Sequence, residues 1–348
     1  MGSNVEFETI NYDQSLYDCY VTASYRLSDM TGKVVAITGT TEGSIGYYTA
    51  LAAVSKGAKL VLLLNRETDR SYEAEQKIKA HAKVTDHECN VRTINCDLTN
   101  LYLVKNAALT VNELLANYGG LDVLVNSAGV CALPDERTVD GFDVQMQVNM
   151  LSHFVLTKLL MESLEWAADR RGEARVVMHT CAFRGLPNRM LKPEFFQVSP
   201  EGTLGGDGKW FVGDLVKQKG PFSRYQQGKL ANASFAMALH MKLQAVGSKV
   251  KALVVDPGFA KTNLIDTSSG AGLLSKISAS VMDMISQSPA NGSIPTLVAA
   301  FGPARLCQSG DFFLPAKQST GLADKSVVRM RISVNTPFFR EKYVRHSE

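Results

Sequence analysis

Tyr225 and Lys229 stand four residues apart in the run Ser223-Arg224-Tyr225-Gln226-Gln227-Gly228-Lys229-Leu230-Ala231-Asn232. On a helix that spacing puts the phenol and the ammonium one turn apart on a single face. A nearby ammonium favours the phenolate, which brings a tyrosine toward use as a general acid or base near neutral pH. The same spacing also fits an exposed helix with a solvated lysine, and such pairs arise often by chance. The choice rests on what the rest of the chain brings to this helix.

The clearest positioning elements lie upstream. Val34-Val35-Ala36-Ile37 is a continuous apolar run, as a strand buried on both faces requires. It enters Thr38-Gly39-Thr40-Thr41-Glu42-Gly43-Ser44-Ile45-Gly46, and a helical segment follows, with Ala50, Leu51 and Val54 on one face and a stop at Gly57. Glycines allow the backbone to approach a pyrophosphate, and the helix N-terminus supplies amide donors and the positive dipole end. Gly39, Thr41, Ser44, Ile45 and Gly46 are therefore the expected phosphate contacts; a plain tight turn is the alternative. A second strand, Leu60–Leu64, ends at Asn65-Arg66. An acidic residue there would bond the ribose hydroxyls of NAD, whereas Arg66 suits the 2′-phosphate of NADP. NADP(H) is expected over NAD(H), with Glu42 the one discordant charge.

Helix and strand keep alternating. A helix over 69–83 and a strand at Arg92–Asn95 lead to Cys96-Asp97-Leu98, where Asp97 can accept from an adenine amino group; Asp97 or Thr99 can equally cap the next helix, over 101–117. The strand Leu121–Val125 ends in Asn126-Ser127-Ala128-Gly129, small enough for a flat ligand to pass close. Asn149 lies on an apolar helix over 145–160, and Cys181 ends the strand that starts at Arg175. A polar and aromatic loop over 185–223 precedes the Tyr225 helix. Val250–Val255 runs into Asp256-Pro257-Gly258-Phe259-Ala260-Lys261-Thr262, and an amphipathic lid spans 264–290. A helix over 291–302 precedes a last strand, Gly310–Leu314. This alternation predicts an α/β fold: a single Rossmann-type, doubly wound domain over 32–316, its mostly parallel sheet of about seven strands covered by helices on both faces. Residues 1–31 read as an N-terminal arm and 317–348 as a tail. Ligands of such sheets sit beyond the strand carboxyl ends, so Gly39, Arg66, Asp97, Asn126, Cys181 and Pro257 should converge on one crevice with Tyr225.

Bulk properties set limits. A net charge of +3 over 348 residues, with no basic aromatic-interleaved patch, gives no reason to expect nucleic acid. Six scattered cysteines without metal-ligand spacing read as reduced thiols, and no metal is expected. No apolar run reaches membrane-spanning length, and the first residues resemble neither signal nor transit peptide, so a soluble cytoplasmic protein is expected.

Together, Thr38-Gly39 through Gly46, Asn126-Ser127-Ala128-Gly129, Asn149, Tyr225…Lys229 and Pro257-Gly258…Thr262 resemble the short-chain dehydrogenase/reductase family. Val148-Asn149-Met150-Leu151-Ser152-His153-Phe154 and the Tyr225 run are most similar to its retinol dehydrogenase and protochlorophyllide reductase branch. The resemblance implies Tyr225 as proton donor or acceptor at a substrate oxygen, and Lys229 as the group that lowers its pKa and bonds the nicotinamide ribose. It implies Asn149 holding a relay water, and Asp97, Leu98, Asn126, Ala128, Gly129, Pro257, Gly258, Phe259 and Thr262 along the cofactor. A homodimer or homotetramer is also implied. Two departures stand out. Ser44 makes the glycine loop one residue longer than the family's, and its hydroxyl is a possible pyrophosphate ligand. Cys181 falls where the family keeps a catalytic serine; a thiol is a weak donor, so Thr180 or a residue of the 185–223 loop would have to help. The expected reaction is NADP(H)-dependent hydride transfer to or from a carbonyl or alcohol of a hydrophobic small molecule. The alternatives are reduction of an activated C=C bond, or a dinucleotide-binding sensor or scaffold with weakened turnover. Phe183, Leu186, Phe195, Phe196, Trp210 and Phe211 suggest an apolar pocket, although packing explains such aromatics as well.

Overall fold

The computed structural model describes residues 23–24, 26–85, 87–185, 190–206, 220–258, 260, 288–315 and 323–324. Phe259, Thr262, most of the 264–290 lid, Leu186, Trp210, Phe211, most of the arm and nearly all of the tail lie outside them.

Eight strands form one sheet in the order β3-β2-β1-β4-β5-β6-β7-β8. They are β1 (Val34–Thr38), β2 (Leu60–Asn65), β3 (Asn90–Asn95), β4 (Val123–Asn126), β5 (Ala174–His179), β6 (Val250–Val255), β7 (Phe312–Pro315) and β8 (Ala323–Asp324). The first seven are parallel, and the two-residue β8 adds antiparallel to β7. The continuous apolar strands are explained by burial on both faces. Val34, Ala36, Leu60, Leu62 and Leu64 enter one core layer, while Val35, Ile37, Val61 and Leu63 enter the other. Each of the buried Val, Ile and Leu side chains contributes about 1.5–3 kcal/mol of apolar burial.

The helices are α1 (Ile45–Ser55), α2 (Asp69–Lys83), α3 (Leu101–Leu115), α4 (α-helical Val144–Met146, π-helical Gln147–Leu151, α-helical Ser152–Leu159), α5 (Met161–Arg171), α6 (Pro221–Ala245) and α7 (Pro289–Phe301). Helix α6 takes in the last three residues of the expected loop, with Pro221 at its first position, where a missing N–H does no harm. The helix expected over 145–160 contains a π turn, and Asn149 sits within it; such turns are common at functional sites. Asn100, rather than Asp97 or Thr99, caps α3, accepting from the Tyr102 and Leu103 amides. Strand order reverses between β1 and β4, which opens a crevice at their carboxyl ends.

Candidate active site

A cleft of about 320 Å³ occupies that crevice. Its lining includes Gly39, Thr41, Ser44, Ile45, Arg66, Asp97, Leu98, Ala128, Gly129, Thr180, Cys181, Tyr225, Lys229, Pro257 and Gly258, so most of the expected site residues meet in one place.

At one end the glycine turn is built for close approach. Gly39 has φ +71°, and a Cβ there would lie 2.8 Å from the Ala128 Cα. Gly46 is no lining residue; its missing Cβ lets α1 pack on the Gly39 carbonyl, which a Cβ would meet at 2.4 Å. Asn65 clamps the turn from β2, accepting from the Thr40 amide at 2.9 Å and donating to its hydroxyl at 2.7 Å. The Ser44 hydroxyl is committed internally. It donates to the Gly39 carbonyl at 2.8 Å and accepts from the Tyr47 amide at 3.0 Å as the α1 N-cap. The extra loop residue therefore serves the turn, and its proton is not offered to a pyrophosphate. Glu42 is paired with Lys77 and does not line the cleft, which removes the expected conflict with a phosphate.

Exposed Arg66 and Arg70 line the far end with no ion-pair partner among the described residues. Arg70 was not anticipated, yet a trace of it was visible. It lies in the first turn of α2, where the helix dipole disfavours a cation, so a partner anion would explain it. Asp97 accepts from the Thr99 amide and hydroxyl through Oδ1.

Behind the wall, Thr38 accepts from the Ser127 and Ala128 amides, both at 3.0 Å. His153 Nδ1 must donate to the Asn149 carbonyl at 3.0 Å, so its Nε2 accepts the Thr38 proton at 2.9 Å. Burial pulls His153 down to about 4, and the ring is neutral at pH 7. Asn149 does not reach the cleft with its amide; that group clasps Val130, accepting from its N–H at 2.8 Å and donating to its carbonyl at 2.9 Å. Asn126 is likewise buried in the wall, donating to Thr157 and Met178.

At the other end stand Tyr225 and Lys229, each 5% exposed. Thr180 donates to the Lys229 carbonyl at 2.7 Å, so its hydroxyl holds α6 rather than serving a substrate. Cys181 shares a hydrogen bond with Tyr225. Cys131, which no sequence signal placed here, also acts electrostatically on Tyr225 and Lys229. The expected lowering of the tyrosine pKa is reversed in this structure. Burial pushes Tyr225 well above its ordinary value, and the two thiols add to the shift. Lys229 does not counter this, because its Nζ lies over the ring face, 5.7 Å from the centroid, and burial pulls the ammonium itself down. Phe183 packs edge-on against the Tyr225 ring. Phe195 is buried in the main core and Phe196 packs against it, so these two aromatics are packing residues rather than pocket ones.

The model of the short chain dehydrogenase family matches residues 33–186. An uncharacterised oxidoreductase of Schizosaccharomyces pombe is 30% identical over 80% of this chain and 74% of its own length. The chain belongs to the short-chain dehydrogenase/reductase family. Human retinol dehydrogenase 12 is 32% identical over 69% of this chain and 65% of its own, in keeping with the branch resemblance. A solved structure from Mycobacterium paratuberculosis is 26% identical, covers 87% of each chain and has a TM-score of 0.56. This short-chain dehydrogenase/reductase contains no described helix long and apolar enough to cross a membrane.

Proposed function

We propose that this oxidoreductase uses NADP(H) to interconvert a carbonyl and an alcohol on an apolar small molecule, with Tyr225 moving the proton at the substrate oxygen. The observation that carries the reading is one cleft holding a glycine cradle, two arginines without an ion-pair partner among the described residues, and the buried Tyr225–Lys229 pair. The residues fit a dinucleotide. The cradle at Gly39 admits backbone-close phosphate, and the cap leaves the Ile45 and Gly46 amides unengaged. Arg66 and Arg70 can take a 2′-phosphate, Asp97 has an oxygen for an adenine amino group, and the Lys229 ammonium has no hydrogen-bond partner among the described residues, which suits ribose hydroxyls. When bound, the nicotinamide supplies or accepts the hydride. The chain holds the reactants and excludes water, and the raised Tyr225 pKa keeps the phenol protonated, the state needed to donate to a carbonyl. Phe183 beside Tyr225 and a relative named for retinol support an apolar substrate.

Fluorescence titration with NADPH and NADH tests the cofactor. NADPH should bind at least about tenfold more tightly, and Arg66→Ala and Arg70→Ala should each erode that preference by about 1–2 kcal/mol. Equal binding of both cofactors, or of neither, overturns the reading. A second reading, reduction of an activated C=C bond, is favoured by Cys181 and by the commitment of Thr180 to α6, since neither offers a strong donor to a carbonyl. Incubation with an enone separates the two: a saturated ketone supports the second reading, an allylic alcohol the first.

A further inference from the structure

Arg224 directly precedes Tyr225, and its side chain is completely buried. It does not line the cleft. Its guanidinium instead meets three other segments of chain. Nε pairs with the Asp143 carboxylate at 3.0 Å; Nη1 donates to the Gly206 carbonyl at 3.0 Å and lies 3.8 Å from Asp135; Nη2 donates to the Leu133 carbonyl at 3.0 Å. Leu133 and Asp135 belong to the connection that leaves the cleft wall at Val130. Asp143 caps α4, the helix that carries Asn149. Asp135 also draws in the 200–206 stretch, accepting from the Leu204 and Gly206 amides through the same Oδ2 that faces Arg224. Gln145 adds a parallel tie from α4 to the Pro221 carbonyl at 2.9 Å.

Stability alone is a poor reason for such a cluster, since apolar replacements of buried ion pairs are often neutral or stabilising. Geometry offers a better one. Successive helical residues point about 100° apart, so a turn held by Arg224 from behind fixes the direction of Tyr225 in front. The planar guanidinium reaches several acceptors at once, which a lysine ammonium on a flexible stem does not. We propose that Arg224, anchored by Asp143 and Asp135, is a positioning residue that sets where the Tyr225 hydroxyl stands relative to Cys181 and the Val130 wall. The proposal rests on Tyr225 being the proton-transfer group.

The test uses Arg224→Met, Arg224→Lys and Asp135→Asn, with NADPH and nonanal or cinnamaldehyde as probes. For Arg224→Met, kcat should fall about thirtyfold while KM and the NADPH Kd change less than about twofold, since a misplacement near 1 Å costs that order of rate. Arg224→Lys should recover part of the loss, and Asp135→Asn should show a smaller loss of the same kind. Tyrosine ¹³Cζ NMR, with the Tyr225 signal assigned by Tyr225→Phe, supplies a readout independent of substrate. One sharp Tyr225 resonance should broaden or split in Arg224→Met or, if that variant does not fold, in Arg224→Lys. Variants that melt earlier yet keep kcat and an unchanged Tyr225 resonance would overturn the proposal. Absence of aldehyde turnover in the unaltered protein would sink the reaction proposed above, and the resonance would still decide the role of Arg224.

Discussion

The two ends of the cleft are held by different kinds of force. At the glycine turn, a positive φ, the Ser44 helix cap and a clamp from Asn65 on the neighbouring strand shape the backbone itself. At the tyrosine end, side chains distant in sequence do the holding. Thr180 bonds the Lys229 carbonyl, Asn232 bonds the His179 carbonyl, Arg224 spans three segments, and Arg184 links the Cys181 carbonyl to Asp256. A binding end needs an unchanging backbone cradle. A reacting end needs a few side-chain atoms aimed together, and that takes cross-links.

Substitutions at the two ends should therefore fail differently. Tyr225→Phe should cut turnover by about 10²–10⁴-fold and leave NADPH binding intact, measured by steady-state rates beside fluorescence titration. Equal losses in both would show the two ends to be one unit. At the other end, Gly39→Ala should destabilise the fold by about 3 kcal/mol in urea unfolding and abolish cofactor binding, because the new Cβ meets Ala128 backbone and the positive φ is strained.

Acid should attack the wall between the two ends. His153 and His179 are buried neutral, with pKa values drawn by burial to about 4 and about 3, below the roughly 6.5 of an unfolded chain. Their stability contribution is complete above pH 6.5 and is lost as pH falls toward 4, up to about 3 kcal/mol for His153. Melting temperature should drop steeply over that window and less so in His153→Gln; a flat profile from pH 6.5 to 4 would show that these rings ionise without strain. The smallest effect is expected from Cys181→Ser. A hydroxyl in place of the thiol should raise aldehyde turnover by about three- to tenfold, the worth of one stronger hydrogen bond. Unchanged turnover would favour C=C reduction or binding without turnover.

Legibility in the sequence followed the same division. The strands β1, β2 and β6 and the helix α2 were readable almost to the residue, because burial on two faces or a capping pattern acts locally. Arg66, Asp97 and Gly39 line the cleft as strand-end logic expected, whereas Gly46 serves the packing of α1 instead. The errors were about which atoms were already engaged. Ser44 and Thr180 were expected at a ligand, yet each hydroxyl donates to a main-chain carbonyl. Glu42 threatened a phosphate site until Lys77 paired with it. Arg70 entered the cleft unforeseen, and Cys131 came to act electrostatically on Tyr225 and Lys229.

The order of apolar runs, turns and glycines determined by itself that a doubly wound parallel sheet would form, and where its crevice would open. Periodicity and backbone freedom are properties of neighbouring residues, so they can be read along the chain. Only the tertiary structure decided the state of the reacting end. Burial, rather than the nearby lysine, governs the Tyr225 phenol; the π turn hands Asn149 to Val130; and the guanidinium beside the tyrosine faces two aspartates from other segments. Desolvation and long-range hydrogen bonding depend on which distant groups come together, and that information exists only once the chain has folded.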